Sequence, residues 1–260
     1  VTPLTAQAAR LALELKAACQ DPDHKVMVFF PAAKVVQVYC ELFRGMGFEV
    51  LEMHSKKSQS YRSRLSDVFR ANQGKVMFTS DVSARGMDYP DVSHVIQVGL
   101  PGDRNQYIHR LGRTARAGKG GKGMLILSEF EAPFVAEEVA DLPLEEAERV
   151  DAGELAEMRM AVRDGMGSIN QGTAEAAYRA WLGYYMTHLG RVKLNKAQAV
   201  VQGNNWATGM LRLPQPPSLR PKTVSNMGLK GVPGIMVEEA GGVANPVRYD
   251  ARDVVGGRGA

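Results

Sequence analysis

The sequence predicts an α/β fold, a doubly wound parallel sheet followed by an all-α extension. Three observations carry this expectation. Apolar runs of strand length recur between positions 26 and 127, bounded by turn residues. Helical patterns with one apolar face lie between the early runs, the alternation of a parallel sheet. Beyond Glu129 the strand-like runs stop and only helical spacings remain, separated by glycines.

In chain order, Thr2-Pro3 opens an amphipathic helix with Leu4, Ala8, Leu11, Leu15 and Ala18 on one face, broken at Asp21-Pro22-Asp23. Val26 to Phe30 is continuously apolar, as in a strand covered on both faces. Ala33 to Arg44 reads as a helix closed by Gly45 or Gly47, and Glu49 to Met53 as a second strand. Ser58 to Arg70 is a helix expected to turn Tyr61, Leu65, Val68 and Phe69 inward. Val76 to Phe78, Val95 to Val98 and Met124 to Leu127 supply three more strands. After Pro101-Gly102, Asp103 is a candidate N-cap for a helix carrying Tyr107, His109 and Arg113 and ending at Gly118.

Helical patterns resume at Glu154–Arg163, Gln171–Leu189 and Asn195–Ala207. Tyr178, Trp181, Leu182, Tyr185 and Leu189 fall on one helix face, and core packing against the α/β part is their expected use. Pro214, Pro216, Pro217, Pro221 and Pro233 mark an irregular segment wrapping those helices. From Gly241 the chain reads as a flexible tail, with Arg248, Arg252 and Arg258 diluted by Asp250 and Asp253. The expected division is therefore 1–149, 150–240 and 241–260.

Composition excludes several classes. With 45% hydrophobic and 23% charged residues the chain is ordinary for a globular protein, and a net charge of +4 leans toward an anionic partner. Cys19 and Cys40 have no metal-ligand spacing and read as buried thiols. No apolar run is long enough to span a bilayer, so no membrane partner is expected. Val1 falls inside a pattern with no Met before it, which reads as an excised fragment. A monomer is expected.

Two stretches carry chemistry. Around His109-Arg110-Leu111-Gly112-Arg113-Thr114-Ala115-Arg116, helical spacing places His109, Arg113 and Arg116 on one stripe. Two guanidiniums so placed make a clamp for a phosphoryl group. A solvated basic helix end is the competing reading. The second stretch, Thr79-Ser80-Asp81-Val82-Ser83-Ala84-Arg85-Gly86-Met87-Asp88, follows a strand, at the sheet edge where open parallel sheets bind ligands.

Together these stretches resemble motifs VI and V of the DEAD-box RNA helicases of superfamily 2. Val28-Phe29-Phe30-Pro31-Ala32 is similar to motif IV of that family. His54-Ser55-Lys56 with Gln59-x-x-Arg62 is similar to motif IVa. The resemblance implies the second RecA-like domain of such an enzyme. The helical half resembles the C-terminal extension of the fungal mitochondrial DEAD-box proteins, RNA chaperones of group I and group II intron splicing. Ala115, where most of the wider family has Gly, and Pro133-Phe134-Val135 support that narrower likeness. A mitochondrial location follows from it alone.

By resemblance, Arg113 and Arg116 reach the γ-phosphate of ATP, and His109 couples this motif to the other domain or is simply a helix histidine. Asp88 accepts from the ribose, with Gly86 allowing close backbone approach. Arg62, Ser80, Ser55, Lys56 and Lys34 are the expected RNA contacts, although exposed lysines are also often merely solvated. Asp81 and Arg85 contact RNA, or pair with each other or across domains. Ala32 has no hydroxyl where the family has Thr, which removes one donor. The sequence contains no Gly-x-x-x-x-Gly-Lys-Thr loop and no Asp-Glu-Ala-Asp run. ATP and Mg would thus be held mainly by a first RecA-like domain that is not in this sequence, and the fragment alone should not hydrolyse ATP. The alternative is a stand-alone module that binds A-form duplex RNA without catalysis. A DNA-directed helicase or protein-remodelling ATPase fits less well, given Gln-x-x-Arg and Arg-Gly-x-Asp.

Overall fold

The computed structural model describes residues 1–81, 89–115 and 120–238, and the backbone of a short strand at Asn245–Pro246. Gly86, Asp88, Arg85 and Arg116, and most of the expected tail, lie outside the described residues.

Five parallel strands form one sheet: β1 (Lys25–Phe29), β2 (Val50–Met53), β3 (Lys75–Thr79), β4 (His94–Val98) and β5 (Lys122–Ile126). Their order is β2-β3-β1-β4-β5. The chain winds outward from β1 to β2 and back through β3, then crosses to β4 on the other side. All the C-terminal strand ends therefore share one edge, and the loops after β1 and β4 diverge there, the usual place for a ligand in such sheets. The predicted RecA-like, doubly wound sheet and helical extension are what the structure shows.

Every residue of β1 is buried because both sheet faces are covered. Val26, Val28, Val76, Phe78, Ile96 and Val98 face the larger core, which continues into α1 (Gln7–Ala18) and α2 (Ala33–Gly45). Met27, Phe29, Met77 and Val95 face a smaller core closed by Phe69 of α3 (Gln59–Ala71) and by Tyr89. Val68, expected inward, is 37% exposed. The helical phase gives the inward position to Phe69 and Ser66 instead, three residues apart.

After β5 come α5 (Pro133–Glu138), α6 (Ala152–Met166), α7 (Gln171–Met186), α8 (Lys196–Asn205) and α9 (Pro221–Asn226). The α6 helix packs on α1 and α2, and α7 lies along α2. Tyr178, Trp181, Leu182 and Tyr185 of α7 are buried in the same large core as the sheet. Trp181 stacks on Trp206, centroids 5.7 Å apart, and meets the edge of Phe130 at 6.1 Å. Each large side chain buried this way contributes about 2 kcal/mol, so the extension and the sheet share one apolar interior across residue 150. Leu189 lies beyond the helix end. The pattern read to Ala207 runs further, because α8 passes into one π-helical turn at Trp206–Met210.

Among the described residues no helix is long and apolar enough to cross a membrane. Cys40 is buried and Cys19 half-buried, both unpaired, and burial pushes both thiols up.

Candidate functional site

The expected site residues lie on the loops that leave the C-terminal edge of the sheet after β1, β2, β3 and β4. The loop after β2 is built on a buried imidazole. His54 Nε2 lies 2.8 Å from Glu52 Oε1, and its Nδ1 accepts from the Lys56 backbone N–H at 3.2 Å. An accepting Nδ1 leaves Nε2 as the proton-bearing nitrogen that donates to Glu52. Lys57 Nζ at 3.0 Å and Arg44 Nη1 at 3.1 Å complete the shell around that carboxylate. Burial pushes the Glu52 carboxyl up, but hydrogen bonds from His54, Lys57 and Arg44 prevail and hold it at about 2. The turn is thus pinned from below, and Ser55 and Lys56 stand exposed at its crest.

Ser58 then caps α3, accepting from the Tyr61 N–H at 3.3 Å. One turn on, Arg62 is half-buried, and its Nε has no hydrogen-bond partner among the described residues. Lys34 is turned along its own helix to Gln37 Oε1 at 2.8 Å. The α2 helix starts at Ala32 without a side-chain cap, so its first amides depend on other acceptors.

The loop after β3 begins with Ser80, buried, whose N–H donates to the Met53 carbonyl at 3.3 Å. Arg85, the expected pairing partner of Asp81, lies outside the described residues. Asp81 Oδ1 receives Arg110 Nε at 2.8 Å and lies 2.6 Å from Arg110 Nη2. Arg110 is 1% exposed and sits over the Phe29 ring at 5.2 Å. This ion pair ties the β3 loop to α4 (Arg104–Leu111), and it makes Asp81 a structural partner of α4.

Asp103 caps α4 as expected, accepting from the Gln106 N–H at 2.6 Å. Tyr107 and Arg110, three apart, form its inward face, and His109 is exposed. The helix ends at Leu111, however, and not at Gly118. Gly112 is a poor helix former, and the next bonds tighten to i→i+3, Arg113 N–H to Arg110 O and Thr114 N–H to Leu111 O, both 3.1 Å. Thr114 is buried and gives its hydroxyl to the Val92 carbonyl, and Ala115 then turns left-handed at φ 54°. Gly121 makes this turn possible, since a Cβ there would lie 2.1 Å from Thr114 Oγ1 and 2.6 Å from the Ala115 nitrogen. Arg113 therefore projects from a turn and not from a helix stripe. It is half-buried, with Nε 3.4 Å from the His109 carbonyl.

Sequence reasoning singled out Arg113 and missed Arg110 as the buried guanidinium. The signal was present in its three-residue spacing from Tyr107. Among the described residues no His, Cys, Asp and Glu group could hold a metal ion. A cavity of about 210 Å³ lined by Glu14, Asp21, His94 and Lys122 lies at the opposite, N-terminal edge of the sheet.

Residues 7–118 match the model of the helicase conserved C-terminal domain. DEAD-box ATP-dependent RNA helicase 26 of Arabidopsis thaliana is 43% identical over 213 residues, 82% of this chain and 24% of that protein. DEAD-box ATP-dependent RNA helicase 25 of Oryza sativa subsp. japonica is 41% identical over 224 residues, 85% of this chain and 36% of that protein. The chain thus spans well under half the length of these relatives. Domain 2 of the DEAD-box helicase Mss116p, solved bound to an RNA duplex, shares the fold. Its TM-score is 0.73 at 24% identity, covering 87% of this chain and 91% of that chain.

Proposed function

We propose, from the premise that this chain carries the C-terminal helicase domain of a DEAD-box RNA helicase, that it supplies half of an ATP-dependent RNA-remodelling site. The observation that carries this reading is the Asp81–Arg110 pair, which joins the loop after β3 to the helix ahead of Arg113 at the ligand-binding edge of the sheet. A first RecA-like domain would hold ATP and Mg and position the attacking water. Arg113, with Arg116, would place forked positive charge against the transferring phosphoryl group, and His109, exposed beside Arg113, would face the other domain. Gly86 and Asp88 would meet the ribose.

RNA would be held by its backbone, which carries no base code and suits an enzyme that acts on many sequences. Arg62 brings a half-buried guanidinium on α3, the pinned turn offers Ser55 and Lys56, and Ser80 stands at the sheet tip. Lys34 would add only long-range attraction. Duplex capture by this chain needs no ATP. The narrower proposal, an RNA chaperone of intron splicing in the mitochondrial matrix, rests on the sequence resemblance alone.

The chain should be titrated with duplex RNA, single-stranded RNA and B-form DNA at two salt concentrations. Tightest binding to duplex RNA is expected, with a steep salt dependence that Arg62→Ala makes shallower by about one phosphate contact. Equal affinity for A- and B-form duplexes, together with an unchanged salt slope in Arg62→Ala, would overturn the RNA-binding assignment.

A further inference from the structure

We infer that the helical extension positions the Arg113 segment, acting through the turn Gly99-Leu100-Pro101-Gly102 that launches α4. The inference rests on the reading that Arg113 meets the transferring phosphate.

Residues beyond β5 take the polar groups of this turn one after another. Tyr184 of α7 gives its hydroxyl to the Leu100 carbonyl at 2.7 Å. Arg191, beyond the end of α7, gives Nη1 to the Pro101 carbonyl at 2.7 Å and the Gly102 carbonyl at 2.6 Å. Its other edge is held by Glu138 of α5, through Nε at 2.7 Å and Nη2 at 2.9 Å. The Leu100 N–H goes to Glu131 Oε1 at 2.6 Å, and the Tyr185 hydroxyl donates to the same oxygen. Glu131 is fully buried, so this link is shielded from water. Gly99, at φ 80°, leaves room for that carboxylate and for the Tyr185 hydroxyl, 3.4 and 3.3 Å from where a Cβ would stand.

Adhesion alone does not call for this arrangement. The extension is already fastened by apolar packing of α6 and α7 on α1 and α2. Three consecutive carbonyls engaged by two side chains fix direction as well as contact, since a guanidinium held on both edges has one orientation. A second route runs in parallel, from Arg191 over the Phe134 ring at 5.5 Å and from Phe134 edge-on to Tyr107 of α4 at 5.8 Å. The α4 helix has eight residues, roughly 12 Å of rigid rod. A shift at Leu100–Gly102 is therefore carried to its far end, where Arg113 sits. Tyr184 and Arg191 are positioning residues in this account.

The test uses the full-length protein, with kcat and KM for ATP under saturating RNA, duplex RNA affinity and urea unfolding measured for each variant. Arg191→Met should lower kcat on the order of tenfold or more, as small misplacements of a transition-state group do, while KM and RNA affinity stay within about twofold. Arg191→Lys, which can still donate to the carbonyls, should recover part of the loss, and Tyr184→Phe should lower kcat severalfold. Hydrogen exchange at the Tyr107–Leu111 amides should quicken in both Arg191→Met and Tyr184→Phe. Arg113→Ala is the reference. If it turns over normally, the arginine reading itself fails. If it is dead while folded Arg191→Met and Tyr184→Phe keep full kcat, or lose turnover and RNA-binding capacity in equal proportion, the positioning role is overturned. Tyr184→Phe, which removes one oxygen, decides the matter should Arg191→Met not fold.

Discussion

Removing the Asp81 carboxylate should be among the costliest single changes in this domain. Arg110 is 1% exposed and lies over the Phe29 ring, so its charge depends on Asp81 Oδ1, reached by Nε at 2.8 Å and Nη2 at 2.6 Å. Arg110 Nη1 has no hydrogen-bond partner among the described residues, which leaves little spare compensation. Stripping the partner from a buried cation costs about 3–5 kcal/mol. Asp81 is 39% exposed, so water can enter beside the vacated guanidinium, and the lower end, about 3 kcal/mol, is expected for Asp81→Ala. Arg110→Met removes the buried charge and keeps the stem, with Asp81 released to water, and should cost about 1 kcal/mol. The double variant should be close to Arg110→Met alone, a coupling of about 3 kcal/mol in a double-mutant cycle. Urea unfolding with unchanged m-values reads all three numbers. A loss under about 1 kcal/mol for Asp81→Ala, with additive behaviour in the cycle, would refute the idea that this pair fastens α4 to the β3 loop.

Glu52, held at about 2 against an ordinary 4.5, adds stability that is present above pH 4.5 and lost as pH falls toward 2. The shift corresponds to at most roughly 3 kcal/mol, reduced to about 2 by the exposure of Arg44 and Lys57. Thermal melts of Glu52→Gln should lack that acid limb. Glu131 has the opposite sign: burial raises its carboxyl despite donors from Ser128, Tyr185 and Leu100. The folded state there binds more protons, so stability declines as pH rises through the window above the ordinary carboxylate range, a slope that Glu131→Gln should remove. Gly121→Ala forces a Cβ against the Ala115 backbone nitrogen and should cost about 1–3 kcal/mol while shifting the Arg113 turn, seen as altered amide shifts at Thr114 and Ala115. Ala115→Gly relieves a left-handed alanine and should stabilise by up to about 1 kcal/mol in urea.

The strands were legible because a buried parallel sheet favours apolar residues at every position. Residues 26–29 supply them without interruption, and residues 76–78 and 95–96 nearly so, with Thr79 and Gln97 the buried polar exceptions. The Asp103 cap and the Tyr178–Tyr185 stripe were legible for the same local reason, since each signal lies within one helix. What escaped was set by partners far apart in sequence. Helix propensity carries Arg113 and beyond in helical register, but Thr114 bonds to Val92 and Gly121 admits the turn. Arg110 and Arg113 look alike in a motif, and only Asp81, 29 residues upstream, separates their roles. Arg191 stands outside every motif, and its carbonyl partners lie about 90 residues away.

In the proposed function Arg113 brings charge to a phosphate held on another domain. Single-turnover ATP hydrolysis by the full-length protein at saturating RNA, with Arg113→Ala and Arg113→Lys, tests it most directly. Arg113→Ala should slow hydrolysis on the order of 10³-fold or more, with little rescue by lysine, which lacks the fork, and near-normal binding of ATP and RNA. A wild-type hydrolysis rate in Arg113→Ala would contradict that role.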